Sequence, residues 1–262
     1  MLKFLGRGSG FSDEHNGACF GLGNKLILLD CPMVSFRRLK NESPEYFAEA
    51  TDERFRELRE RDKLSGEADG SRRIEELIIA ITHTHSDHIA GLALTIHFAR
   101  FIWKIKVKVI APSSEVLKNL DYMLTEMDGC SRETYSIVTA DEYIADSGDE
   151  GRWLKAVIPT IHVPELSGKC FGYQLEVDGR NVIYTGDTCT LDTFLDKITP
   201  ESILYTECSA YDTGVHLYIN KLLGYKDFFE ENNVKVYLMH LDDVKKIEEE
   251  AGEAGFEPAP LA

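Results

Sequence analysis

The sequence contains no CxxC pair; its six cysteines are scattered at 19, 31, 130, 170, 189 and 208. That removes the paired-thiol motifs of zinc and redox chemistry. Reduced, mostly buried thiols in a cytoplasmic protein are expected, and Met1-Leu2-Lys3-Phe4 does not read as a signal peptide. No apolar run approaches the roughly 20 residues needed to span a bilayer, so no membrane association is expected. No repeat recurs at a fixed period. Positive charge is also scarce: 29 basic residues face 45 acidic ones, a formal charge of −16. A deficit of that size works against a broad surface that tracks nucleic-acid phosphates. What remains is a globular chain, 43% hydrophobic over 262 residues, long enough for a sizeable core.

Chemistry is concentrated in His83-Thr84-His85-Ser86-Asp87-His88, which holds three of the eight histidines. The β-branched run Ile78-Ile79-Ala80-Ile81-Thr82 before it reads as a buried strand. Ile89 to Ile96 after it reads as the start of a helix. The cluster therefore sits on a loop leaving a strand, where function in α/β proteins concentrates. Imidazoles and a carboxylate within mutual reach are ligands that suit zinc, and also iron or manganese.

Along the chain, Lys3-Phe4-Leu5 reads as a first strand running into Gly6-Arg7-Gly8-Ser9-Gly10. That loop lacks the Lys-Ser/Thr ending of a phosphate-binding loop and reads as a tight turn. Ala18–Leu22 and Leu26–Asp30 read as a hairpin around Gly23-Asn24. Asp30, before Pro32, either approaches the histidine loop or caps a turn. Residues 36–73 are dense in charge and predict a helical element that borders the site or a dimer interface. Ser43-Pro44 opens a helix there, and 65–71 is a loop. A helix is expected from about Ala90 to Phe101, with His97 packed on it, and another over Glu115–Met127. Asp178-Gly179 joins two strands in a second hairpin. Thr190 is expected to cap a short helix to Ile198, and Asp242 a final one to Ala251. The alternation of strand and helix indicates an α/β architecture, and 1–262 is expected to be a single domain.

Three further residues stand just past strand-like runs: His162, Asp187 in Gly-Asp-Thr, and His240. Loops leaving one edge of stacked sheets can converge on one cleft. With these in place, His83-x-His85-x-Asp87-His88 followed by His162, Asp187 and His240 resembles the metallo-β-lactamase superfamily over nearly the whole chain. The segment from His162 to Asp187, with Gly172-Tyr173, is similar to the ribonuclease Z and small phosphodiesterase branch. The resemblance implies a four-layer αββα sandwich with an insertion at about 36–73, a stretch the family pattern lacks. It implies His83, His85 and His162 on one metal, Asp87, His88 and His240 on a second, and Asp187 bridging the two. It also implies two divalent cations, most often zinc.

This sequence departs from the pattern in places. Ser86 stands where the family usually has glycine. Only 25 positions separate His162 from Asp187, without the long tRNA-clamping arm of bacterial ribonuclease Z. The stretch Glu207 to His216 loosely resembles the part that supplies an acidic residue and a further histidine.

The expected activity is hydrolysis of small or cyclic nucleotide phosphodiesters. Asp87 is expected to help orient the nucleophile, and His216 to protonate the leaving oxygen. Arg7, Arg37 and Arg38 are candidates for extra positive charge near the metals. A thioesterase or lactonase of the same superfamily, or a metal-binding regulatory protein without turnover, are the alternatives. The partner is a small phosphodiester rather than folded tRNA, and a homodimer is possible.

Overall fold

The fold is given by a computed structural model that describes residues 1–51, 73–146, 148 and 152–262. Two six-stranded sheets form its centre. The first runs β1 (Lys3–Gly6), β2 (Gly17–Leu22), β3 (Lys25–Leu29), β4 (Glu76–Ala80), β5 (Lys106–Ala111) and β6 (Ser136–Thr139), in that order. The second runs β12 (Glu257–Pro258), β11 (Lys235–Met239), β10 (Ile203–Glu207), β9 (Arg180–Tyr184), β8 (Phe171–Val177) and β7 (Leu154–Pro159). Each sheet begins its chain path with antiparallel pairs, β1–β2–β3 and β7–β8–β9. Each then continues with parallel ones, β3–β4–β5–β6 and β9–β10–β11–β12.

Strand periodicity sorts the core into layers. In β3, Ile27 and Leu29 face the second sheet, packing in one cluster with Phe20, Tyr173, Val182, Tyr184 and Tyr205. Leu26 and Leu28, one residue out of phase, face outward with Leu39, Phe47, Leu92 and Ile96 of the flanking helices. The outer face of the second sheet, with Ile183, Leu204 and Leu238, packs on Leu222, Phe229 and Ile247. The result is the four-layer αββα sandwich.

The hairpin turns form where expected: Asp178 and Gly179 both take positive φ, 53° and 73°, as a two-residue hairpin loop requires. The expected 36–73 element begins earlier, as the helices Met33–Glu42 and Pro44–Thr51; residues 52–72 lie outside the described residues. Leu39 and Phe47 bury against the outer face of the first sheet. The described part of this element is therefore a cover for that sheet, and none of it lines the cleft described below.

The helix expected over 90–101 is Leu92–Phe98, continued by a wider π turn, Ala99–Trp103. His97 packs there, with Nε2 3.0 Å from the Cys130 sulfur. Thr190–Ile198 holds turns and no helix. Thr190 accepts the Asp192 N–H locally, while Leu191 and Phe194 anchor the turns in the core. The last helix, Val244–Ala251, is capped by Asp243 and not by Asp242: the Asp243 side chain accepts the Lys246 N–H at 3.1 Å. Among the described residues no helix is long and apolar enough to cross a membrane. All six cysteines are free thiols, five of them buried.

Candidate metal centre

β8 is antiparallel to both β7 and β9, so β7 runs the same way as β9, β10 and β11. The exits of these four strands lie at one end of their sheet. They carry His162, Asp187, Glu207 and His240, and the exits of β3 and β4 bring Asp30 and the His83–His88 loop. The structure brings all seven sequence-predicted ligands together. One group is His83, His85, His162 and Asp187; a second is Asp87, His88, Asp187 and His240; within each, the donor atoms lie within 4.8 Å of one another. Asp187 belongs to both.

The distances converge on a shared centre. His85 Nδ1 is 3.0 Å from His83 Nε2 and 3.3 Å from His162 Nε2. Asp187 Oδ2 is 3.8 Å from His83 Nε2 and 3.6 Å from His162 Nε2. On the other side, Asp87 Oδ2 is 3.2 Å from His240 Nε2 and 3.4 Å from His88 Nε2.

The opposite ring nitrogens are committed, which determines the tautomers. His162 Nδ1–H donates to the Val215 carbonyl at 2.8 Å. His88 Nδ1–H donates to Asp30 Oδ2 at 2.9 Å. His83 Nδ1–H donates to the Thr82 hydroxyl at 3.1 Å, and that hydroxyl donates onward to Asp30 at 3.0 Å. Asp30 also accepts the Thr82 N–H at 2.8 Å. Of the two roles open to Asp30, the structure assigns the approach to the histidine loop. One buried carboxylate orients His88 directly and His83 through Thr82.

These residues fit a cation on an observation independent of their identity. His88 Nε2 and Asp187 Oδ1 are buried, lie 3.4 Å apart and have no hydrogen-bond partner. Leaving two such groups unmade is costly, and a divalent ion between them removes the cost. Nitrogen and carboxylate donors in this mixture suit zinc, manganese or iron.

Electrostatics separate the ligands. Burial lowers the pKa values of His83, His85 and His162, which keeps them neutral and ready to donate lone pairs. Burial acts the same way on His88 and His240, but it is overcome by the charge of Asp187, with Asp30 beside His88 and Asp87 beside His240, so both are raised. Burial works against the charge of Asp187 as well, yet His240 and His88 hold it ionised, well below the usual carboxylate range.

Beside the ligands lies a dyad. His216 Nδ1–H donates to the buried Glu207 Oε2 at 2.7 Å, and the His216 ring stacks on His240 with centroids 5.2 Å apart. Glu207 also accepts the Thr188 N–H. Burial opposes protonation of His216, but Glu207 outweighs it and raises the pKa to about 9. Burial, then the charge of Asp187, raises that of Glu207. Both His216 and His240 line a cleft of about 350 Å³ with Asp87, His85 and His162. Arg7, Arg37 and Arg38 do not reach it. Their guanidinium groups donate instead to the carbonyls of Ala259, Asp13 and Ala262, and among the described residues no arginine or lysine lines the cleft.

A family model for the anti-Pycsar protein Apyc1 matches residues 70–258. The chain belongs to that family. The matched span holds every candidate ligand, together with Glu207 and His216. An Apyc1 relative from Bacillus phage vB_BsuM-Goe3 is 30% identical over 190 residues, covering 68% of this chain and 72% of the relative. One from Bacillus phage 010DV004 is 28% identical over 178 residues, covering 63% and 68%. Among solved structures, this Apyc1-family chain is similar to the metallo-β-lactamase fold protein YhfI from Bacillus subtilis. The TM-score is 0.66 at 16% identity, over 100% of this chain and 95% of that one. It is also similar to the short form of human tRNase Z, with a TM-score of 0.57 at 16% identity over 93% of each chain. These likenesses show that this chain has the metallo-β-lactamase fold. Asp30 precedes the matched span, and its role became visible only when β3 and β4 were seen paired in register, with Leu29 beside Ala80.

Proposed function

We propose that this chain is a metal-dependent hydrolase, a phosphodiesterase that cleaves small or cyclic nucleotides. The observation that carries it is the joining of two donor groups through Asp187, with His216, held by the buried Glu207, lining the same cleft. The name of its relatives, anti-Pycsar protein, fits an enzyme that degrades cyclic nucleotides.

Bound there, two divalent cations, zinc by preference, supply an activated water and charge stabilisation for the phosphoryl oxygens. His83, His85 and His162 would hold one, Asp87, His88 and His240 the other, with Asp187 in reach of both. The chain's own groups do the rest. Asp87, at the cleft edge of its group, accepts a hydrogen bond from the incoming water and aims it at phosphorus. The water gives up one proton to solvent, and its oxygen, keeping the other, bonds to phosphorus as the ester P–O bond breaks. The departing oxygen takes a proton from His216 Nε2, while Glu207 keeps His216 Nδ1 protonated and its ring oriented. With no arginine or lysine among its described lining residues, the cleft leaves recognition of the phosphate to the metal centre and His216. That suits a ligand of one or two charges and not a long polyanion.

The test is a panel of 3′,5′-cyclic nucleotides, bis(p-nitrophenyl) phosphate, a thioester and a lactone, run on zinc- and manganese-loaded protein beside elemental analysis. We expect cyclic-nucleotide turnover and close to two metals per chain, with clearly less metal in Asp187→Ala. Thioester turnover far above phosphodiester turnover overturns the reading.

A further inference from the structure

We infer that Phe11 is a stacking platform for the nucleobase of the substrate, and that the loop carrying it is the base-binding wall of the cleft. The inference rests on the phosphodiesterase reading above and adds the part of the substrate which the metal centre does not touch. Phe11 is fully exposed, at 107% of the reference value, and it lines the mouth of the cleft. An isolated exposed apolar residue on a surface needs no explanation. Two observations separate this one from that case.

The first is that the loop is held rigidly. The Ser9 N–H donates to the Leu241 carbonyl at 3.0 Å, and the Leu241 N–H to the Arg7 carbonyl at 2.8 Å. The Gly8 N–H donates to the Glu14 carbonyl at 2.8 Å. The Ser12 N–H and hydroxyl both donate to the Ser9 carbonyl, at 3.0 and 2.8 Å, closing the turn that carries Phe11. Leu241 directly follows the candidate ligand His240, so the loop backbone that carries Phe11 is registered to the metal centre.

The second is proximity. A Cβ added to Gly10 would lie 3.1 Å from Asp87 Oδ2. The backbone thus runs against a ligand carboxylate, one residue before Phe11. With a Cα–Cα step of 3.8 Å, the Phe11 Cα stands within about 9 Å of that oxygen. A ribose separates phosphorus from base by a length of this order. Among the described residues lining the cleft, Phe11 and Val163 are the two with apolar side chains. With no arginine or lysine among the described lining residues, an aromatic face is the strongest attachment they offer to an uncharged planar group.

The experiment compares 3′,5′-cyclic AMP with the abasic ribose 3,5-cyclic phosphate. The readout is the ratio of their kcat/KM values in the wild type and in Phe11→Ala, Phe11→Leu and Phe11→Trp. Base–aromatic stacking predicts that the ratio falls about tenfold in Phe11→Ala and Phe11→Leu, mostly through KM, and is kept in Phe11→Trp. A second readout does not depend on turnover. The fluorescence of the indole introduced by Phe11→Trp, taken as the difference from wild type, should be quenched by cyclic AMP and not by the abasic compound. A ratio unchanged in Phe11→Ala, together with no quenching of that indole, overturns the inference. So does a fall in molecular mass on Phe11→Ala, which would make the ring a subunit contact. If the wild type hydrolyses no cyclic nucleotide, the phosphodiesterase reading fails on its own, and quenching in Phe11→Trp still decides the stacking.

Discussion

At the residue scale, Asp30 shows how much of a metal site lies outside its ligands. It sits at φ 61°, a left-handed conformation that suits Asp and Asn better than most residues. That geometry turns its carboxylate back across β4 onto Thr82 and His88. Asn at this position tolerates the backbone but loses one charged acceptor. Asp30→Asn is therefore expected to fold normally by circular dichroism and to bind zinc about 10- to 100-fold more weakly in a chelator competition. Unchanged affinity would reduce Asp30 to a structural residue.

His216 allows a pH prediction. Its pKa is raised by Glu207, to about 9, so the imidazolium proposed to donate the proton persists through neutral pH and is lost as pH rises through that value. Bound cations nearby push the proton off sooner. The rate profile should thus fall on the alkaline side, with its limb at pH 9 or somewhat below. Glu207→Gln removes the charge that holds the proton and should move the limb to lower pH, without restoring it at higher pH. A limb in the same place in wild type and Glu207→Gln rules out the dyad as the titrating acid.

At the scale of elements, the site depends on how strands end. β9 leaves its sheet through Thr185-Gly186-Asp187, and Gly186 takes φ +58°. A Cβ there would stand 2.6 Å from the Phe171 carbonyl and 3.1 Å from the Thr82 side chain. The turn lets Asp187 point between two loops from different sheets, and it exists only because that residue has no side chain. Gly186→Ala should cost about 1–3 kcal/mol in urea unfolding, from backbone strain with the clash added. It should also lower the metal content, since Asp187 is displaced with its backbone. A variant as stable as wild type would show that the turn can relax elsewhere.

At the scale of the whole molecule, charge is expected to limit the size of the proposed substrate. The chain carries −16, and among the described residues no arginine or lysine lines the cleft. A folded RNA lays many phosphates along a protein and gains affinity from each cation it meets, and this surface is short of them. Precursor tRNA is expected to remain uncleaved by the purified protein under conditions where a cyclic nucleotide is consumed, judged on a denaturing gel. Specific release of a tRNA 3′ trailer would contradict both the charge argument and the short interval from His162 to Asp187.

Much of this was legible in the sequence, for local reasons. The His83–His88 cluster is contiguous, so its ligand character needs no fold to be seen. The β-branched strands and the Asp178-Gly179 hairpin follow from rules that act over a few residues. The seven ligands were legible through spacing and the family pattern together. The misreadings came where tertiary contacts compete with local ones. Asp242 looks like the cap of the last helix, but its carboxylate is taken by the Ser209 hydroxyl at 2.6 Å and the Ala210 N–H at 2.8 Å, leaving Asp243 to cap. Arg7 looks available to a phosphate until its guanidinium is seen on the Ala259 carbonyl, 252 residues away. Sequence alone determined which chemical groups this protein possesses and which strands would carry them. Only the tertiary structure decided which partners each group keeps, because a hydrogen bond between distant residues is chosen by the packing of two sheets and leaves no local mark on the chain.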